Sequence, residues 1–362
     1  MRRTVLFVSS NGAGLGHLTR QMAVARRLSD RFRPVFHTQA HALALVRAAG
    51  IPVVHTQHHD AAGCPMDAWN DALEADLLAL GRRLDPAAVV VDSTALFGGF
   101  AGFLQRINPV PRVWVRRAFW SEENRFFLDL APLFDRIVEP GDLADALDTG
   151  PTTTMAEGVV KVPPTLLVDP QDRLDRDAAR RALGLPADGA VVALQLGYSF
   201  GARTDALRAQ VLAALTGRAD LTVVDIRSPL EPRGNGPARP PEGVRQVDLF
   251  PSFPVSRAFD ALIVPAGYNS FHEAVLGGIP ALFLANTSAG MDRQDLRAAW
   301  AEASGFGLGL PVDAPGQTVA AAVERLLSPA FEAGRRKAAD RIAWSNGASA
   351  IARIIEEIAD GG

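Results

Sequence analysis

Short runs of Val, Leu and Ile alternate with amphipathic stretches of helical length from one end of the chain to the other. A strand that is apolar on both faces must be covered on both, and crossover helices do this, so the pattern predicts parallel sheets flanked by helices. Strands are expected at 5–9, 34–37, 89–92 and 113–115, separated by helices near 17–29, 40–49, 67–83 and 95–106. The scheme then repeats, with strands at 191–195, 221–225, 261–264 and 281–284 and helices near 175–183, 203–215, 269–277, 292–304 and 318–327. Between the halves, Val162-Pro163-Pro164-Thr165 cannot continue a helix and favours an extended connection. A length of 362 residues accommodates two domains. The reading is therefore α/β, with doubly wound domains at 1–162 and 163–340 and a C-terminal helix in 341–362 that crosses back to the first. Ile351, Ile354, Ile355 and Ile358 fall on one face of that helix. Residues 228–243 are dense in Pro, Gly and Arg and read as a surface loop or lid.

Composition narrows the classes. Hydrophobic residues at 48% and charged residues at 21% fit a globular chain rather than a disordered one or a coiled coil. A formal net charge of -3 gives no overall basic footprint, so nucleic acid is not an expected partner. Cys64 is the single cysteine, which forbids an intrachain disulfide and an all-cysteine zinc site. The apolar run at 5–8 is too short for a signal sequence, and no stretch reaches the ~18 apolar residues that span a bilayer. A cytoplasmic protein, at most peripheral at the inner face of a membrane, is expected. Lys161 and Lys337 are the only lysines among 37 basic residues, which reads as the codon bias of a GC-rich bacterial genome.

Ligands in doubly wound folds sit at the carboxyl ends of strands, so the loops that follow strands carry the chemistry. The first is Ser9-Ser10-Asn11-Gly12-Ala13-Gly14-Leu15-Gly16-His17. A dinucleotide fingerprint would need glycine where His17 stands and an acidic residue where the second strand ends in His37-Thr38-Gln39. Gly14 and Gly16 permit close backbone approach to a ligand. A histidine at a helix start is disfavoured as imidazolium by the helix dipole, so His17 is suited to accept a proton, or else to cap the helix. Asp92 ends the third expected strand, where it can orient His17 or serve as a helix N-cap.

In the second half, Gln195-Leu196-Gly197-Tyr198-Ser199-Phe200-Gly201 follows a strand and precedes a helix. Such a loop is either an ordinary turn or an anion site suited to a diphosphate through Gly197 and Ser199. Further along stand Pro265-Ala266-Gly267-Tyr268-Asn269-Ser270-Phe271-His272-Glu273, then a strand, then Met291-Asp292-Arg293-Gln294-Asp295. This segment resembles the donor-binding region of GT-B glycosyltransferases, especially the MurG-like branch and related natural-product transferases. The N-terminal glycine loop with Gly16-His17-Leu18-Thr19-Arg20 resembles the loop that carries the proposed general base of the same family. The resemblance implies the GT-B fold, two Rossmann-like domains facing across a cleft. It implies that Gly267, Asn269 and Ser270 bind the diphosphate, that Glu273 holds the ribose, and that Asp292, Gln294 and Asp295 contact the donor sugar. It also implies no bound metal and no cofactor beyond a nucleotide sugar, with UDP favoured over dTDP.

Other constellations are weaker. His55, His58, His59, Asp60 and Cys64 offer metal-ligand chemistry, but their spacing matches no zinc pattern, and a polar loop is the expectation. Asp175-Arg176-Asp177 lies in an alternating-charge helix and reads as a solvated face. Trp120, Phe126 and Phe127 interleave with Arg116, Arg117 and Arg125, either as an acceptor wall or membrane-facing patch, or as core aromatics beside surface charge. The combined expectation is an inverting, metal-independent glycosyltransferase. Its second domain takes the nucleotide sugar, its first a small-molecule or lipid-linked acceptor, and His17 acts as base. A nucleotide-sugar epimerase and a non-catalytic binding protein of the same fold are the alternatives.

Overall fold

The computed structural model describes residues 2–10, 15–197, 199–218, 220–228 and 240–361. Among these, the chain forms two α/β units, residues 1–167 with 345–362 and residues 168–344. The strands of the first are β1 (Arg3–Ser9), β2 (Phe32–Thr38), β3 (Val53–His55), β4 (Ala88–Asp92), β5 (Arg112–Val115), β6 (Arg136–Pro140) and β7 (Val159–Val162). Its first five helices are α1 (Gly16–Ala25), α2 (Leu43–Ala48), α3 (His59–Ala62), α4 (Met66–Leu84) and α5 (Gly98–Arg106). The second unit has β8 (Ala190–Leu194), β9 (Leu221–Arg227), β10 (Val244–Asp248), β11 (Ala261–Pro265), β12 (Ala281–Leu284) and β13 (Gly307–Leu310). Its helices are α6 (Arg176–Leu183), α7 (Thr204–Leu215), α8 (Tyr268–Leu276), α9 (Gln294–Ala303), α10 (Gly316–Leu326) and α11 (Pro329–Ala339). The chain then ends in α12 (Gly347–Ala359).

All strand pairings in the first unit are parallel, in the order β3-β2-β1-β4-β5-β6-β7. The apolar runs of β1 and β4 are buried along almost their whole length because both faces are covered. Leu6, Val8, Val89, Val91 and Trp114 pack with Trp69, Leu73, Leu77 and Leu80 of α4 and Phe100 and Phe103 of α5. Helices α1 and α12 pack against each other and against β1 and β4 respectively.

The second sheet is also wholly parallel, β10-β9-β8-β11-β12-β13. In both sheets the strand order reverses direction beside the first strand, at β1/β4 and at β8/β11, and the crevice at such a point is where doubly wound folds bind ligands. Helix α7 closes one face through Leu207, Val211, Leu212 and Leu215, together with Val319 and Val323 of α10. Most of the expected surface loop, residues 229–239, lies outside the described residues. The C-terminal helix expected in 341–362 is α12, and α11 precedes it across residues 340–346.

Candidate active site

Val8 pairs with Val91, so the end of β1 lies beside the end of β4. There His17, the second residue of α1, lies with Nδ1 2.6 Å from Oδ1 of Asp92. An ionised carboxylate only accepts, so Nδ1 carries the hydrogen and Nε2 keeps its lone pair. One turn along α1, Arg20 donates from Nη2 to Oδ1 of Asp92 at 2.5 Å and from Nε to Oδ2 at 3.1 Å. Its Nη2 lies 2.9 Å from Nδ1 of His17, and both N–H groups converge on the same oxygen. The cluster is buried, with His17 9%, Arg20 2% and Asp92 1% exposed.

Burial depresses the pKa of His17, Asp92 opposes this, and Arg20 and Arg117 add to the depression. Burial alone would raise the carboxyl of Asp92, but Arg20 and His17 outweigh it and hold the group below its ordinary value. Near neutral pH the pair is therefore an imidazole with a free lone pair beside a carboxylate. Neither capping alternative applies. Helix α5 begins at Gly98 with Phe97 at its N-cap, and α1 has Leu15 there without a side-chain cap bond. Gly16 opens α1 with open space where a Cβ would stand, whereas Gly14 lies outside the described residues. Sequence reasoning did not single out Arg20 as a site residue. Its position three residues after His17, on the same helix face, was the available signal.

In the second unit, β11 lies between β8 and β12, which brings three loops together. Gly197 and Gly201 adopt left-handed backbone, φ +58° and +54°, where other residues are strained. The loop passes through a 3-10 turn at Gly201–Arg203 before α7 starts at Thr204, so the α-helix begins after the loop rather than within it. Phe200 is buried in the unit's core, Tyr198 lies outside the described residues, and Asn286 donates its side-chain N–H to the carbonyl of Ser199. Gly267 is the N-cap of α8 and makes no side-chain cap bond, and Asn269 and Ser270 lie in the first turn, whose amides have no intrahelical acceptor.

Glu273 stands one turn further along α8. It lines a pocket with Gln195, Ser252, Phe253, Ser270 and Val264, and burial pushes its carboxyl up to about 8. Gln294, at the start of α9, accepts from the backbone N–H of Asn286 at 3.0 Å, and its Nε2 lies 3.9 Å from where a Cβ on Gly267 would be. Asp292 is buried and ion-paired with Arg297 at 2.5 Å, while Asp295 faces outward and pairs with Arg293 at 2.8 Å. Of the sugar-contacting trio implied by the resemblance, Gln294 thus lies next to the glycine turn, and both aspartates are engaged by arginines.

The remaining sequence candidates divide. Among the described residues, His58, His59 and Asp60 bring three potential metal ligands within 4.8 Å of one another. Their imidazoles contact the carboxylate at 3.3 and 3.0 Å and pack edge-on to Phe97, while Cys64 is exposed outside the cluster. Asp175 caps α6, accepting from Ala178 N–H at 2.7 Å. The aromatic and basic patch is not one surface. Trp120 and Arg116 are buried, the former against Trp114 and the latter ion-paired with Glu139 at 3.0 Å. Phe126 remains exposed with its ring tilted against that of Phe127, and Arg125 pairs with Glu122. Next to Trp120, Phe119 is buried and takes a left-handed φ of +63°.

No protein-family profile and no curated protein matches the chain. Solved structures do. The glycotransferase of kitacinnamycin superposes with a TM-score of 0.68 at 16% identity, covering 99% of each chain. MurG of Acinetobacter baumannii gives 0.64 at 14% identity over 98% of this chain and 99% of its own. The spinosyn rhamnosyltransferase SpnG, complexed with thymidine diphosphate, gives 0.66 at 17% identity over 98% and 100%. The topology of both sheets and this full-length likeness establish that the chain has the fold of the GT-B glycosyltransferases.

Proposed function

We propose that the protein is an inverting glycosyltransferase that moves a sugar from a nucleoside diphosphate, UDP before dTDP, to a hydroxyl acceptor. The observation that carries this reading is His17, neutral and held by Asp92 with Nε2 available, on the switch point of a GT-B fold. Nε2 removes the acceptor hydroxyl proton as that oxygen bonds to the anomeric carbon, and the bond from that carbon to the diphosphate oxygen breaks on the opposite face. Asp92 stabilises the imidazolium that forms. The departing diphosphate takes hydrogen bonds from amides of the Gly197 to Gly201 loop and the Gly267 turn, which need no reorganisation as charge develops. Glu273 accepts from the ribose hydroxyls, and Gln294 contacts the sugar. The diphosphate is stabilised by protein N–H groups in this scheme, so turnover should persist in excess EDTA.

The test is product analysis by mass spectrometry with a panel of nucleotide sugars and hydroxyl acceptors, comparing wild type with His17→Ala. Loss of a general base should lower turnover by about 10² to 10⁴ while UDP affinity, measured by calorimetry, stays within about two-fold. Wild-type turnover by His17→Ala removes the histidine from the mechanism, and a changed nucleotide sugar released without an acceptor identifies an epimerase instead. Sedimentation with anionic vesicles separates a lipid-linked acceptor, for which exposed Phe126 would supply membrane contact, from a small-molecule one.

A further inference from the structure

The glycine turns of the second unit lie at the carboxyl ends of its strands, and a second pocket opens at their amino ends. Its walls include Asp260, just before β11, Pro280, just before β12, and Gly277 and Gly278, just beyond α8. The length of α8 puts about 13 Å, at 1.5 Å per residue, between this pocket and the turn at Gly267, while on the side of Glu273 it shares Ser256 and Phe259 with the pocket that Glu273 lines. It is a cavity of about 440 Å³ lined by five arginines, Arg173, Arg176, Arg257, Arg335 and Arg336, and by two carboxylates, Asp260 and Glu332.

Both carboxylates are already shared. Asp260 pairs with Arg176 at 2.8 Å and with Arg180 at 2.9 Å, and Glu332 pairs with Arg335 at 2.8 Å and Arg336 at 2.7 Å. Arg173 and Arg257 have neutral partners instead. Arg173 donates to the Pro170 carbonyl at 3.0 Å and to Ser256 Oγ at 3.2 Å, with its guanidinium 4.9 Å over the Phe253 ring, and Arg257 donates to the same carbonyl at 3.3 Å. Burial, followed by the charge of Arg257, depresses the Arg173 pKa to about 10. Here two guanidinium groups share one carbonyl oxygen with no carboxylate between them, in a pocket whose lining side chains carry an excess of three positive charges.

We propose that this pocket binds a phosphate-bearing anion, at a site distinct from the diphosphate turn at Gly267. Planar guanidinium forks match phosphate oxygens in pairs, and a multivalent anion offsets more of the positive excess than a single carboxylate. Arg173 and Arg257 are its principal contacts, and Arg336 lies on the same lining.

The experiment is calorimetric titration of the full-length protein with inorganic pyrophosphate, with and without saturating UDP, for wild type, Arg257→Gln and Arg173→Gln. A parallel sedimentation assay uses phosphatidylcholine vesicles with and without phosphatidic acid. Arg257 is exposed and its removal leaves the core intact, so that variant keeps the test valid even if Arg173→Gln unfolds. Pyrophosphate binding that persists under UDP and weakens about ten-fold in Arg257→Gln supports a site for a soluble phosphate. Arg257-dependent binding to phosphatidic acid vesicles, without pyrophosphate binding, assigns the phosphate to a lipid headgroup. Binding abolished by UDP, equal in wild type and Arg257→Gln, or absent from both assays overturns the proposal. Because UDP binding is read separately, failure of the transferase reading leaves this outcome unchanged.

Discussion

Arg20 decides what His17 can do. An imidazole paired only with a carboxylate is drawn toward imidazolium, but Arg20 engages both oxygens of Asp92 and adds its own positive charge beside the ring. Burial acts in the same direction, so His17 titrates below its ordinary 6.5, and the acid limb of kcat/KM should lie below that value. In Arg20→Gln, Asp92 is left to the histidine and the repelling charge is gone, so the limb should move to higher pH. The rate loss should then be larger near about pH 6 than near about pH 8, with a matching upward move of the His17 resonance in an NMR titration. An unshifted titration in a folded variant would contradict this role. Glu273 presents the opposite sign. Its folded-state value of about 8 exceeds the 4.5 of the unfolded group, so the folded chain binds the extra proton between them, and stability is lost as pH rises through that window. Glu273→Gln should raise the denaturation midpoint of the second unit more at about pH 8 than at about pH 5, while weakening UDP roughly ten-fold or more. Equal UDP affinity in both proteins rules out the ribose assignment. His17 and Glu273 could be singled out as candidates from the sequence because each follows a glycine turn after a strand, where doubly wound folds bind ligands. Arg20 could not, since its meaning lies in Asp92, 72 residues away, and a single sequence does not record that β1 and β4 are neighbours.

At the scale of elements, the strands that were legible are β1, β2, β4, β5, β8, β9, β11 and β12, while β3, β6, β7, β10 and β13 were not. Four of the five missed strands, β3, β7, β10 and β13, are the edges of the two sheets. A central parallel strand is apolar on both faces and announces itself, whereas these edge strands are either only three or four residues long, as are β3, β7 and β13, or polar, as in Val244–Asp248 with exposed Arg245, Gln246 and Asp248. Helix cores were legible to within a few residues, and α8 was read almost whole because Gly267 and Gly277 bracket it. The loop after β8 was read for its composition, but its conformation is set by backbone that composition does not encode. Gly197 has no heavy atom within 4 Å of a would-be Cβ, so Gly197→Ala has room and pays only for its left-handed φ. That should cost the second unit roughly 1 to 2 kcal/mol in chemical denaturation. Nucleotide affinity should fall as well if the loop is held in this conformation for a diphosphate. A drop in stability with unchanged UDP affinity would make it an ordinary turn.

At the scale of the whole chain, the two units differ in how the sequence builds them. Residues 168–344 are one continuous segment, whereas the first unit is completed only when 345–362 return to it. The return is tightly specified. Asn346 bonds both the N–H and the carbonyl of Leu166, at 3.2 and 2.9 Å, and Gly347 donates to Pro164 at 3.0 Å, where any side chain would strike the Pro163 carbonyl. Helix α12 then buries Ile351, Ile355 and Ile358, and Asp360 pairs with Arg3 at 2.5 Å and Arg31 at 2.8 Å. Three buried isoleucines contribute roughly 5 to 9 kcal/mol, which is comparable to the whole stability of a domain at about 5 to 15 kcal/mol. The exposed ion pairs of Asp360 add little to that. A chain ending at residue 344 should therefore lose the cooperative unfolding transition and amide-exchange protection of residues 2–167, while residues 168–344 keep theirs. UDP binding, which the proposal assigns to the second unit, should survive the truncation, and sugar transfer, which needs His17, should not. A truncated chain that keeps both transitions would show that the first unit is stable without α12, and one that loses UDP binding would place part of the nucleotide site outside residues 168–344.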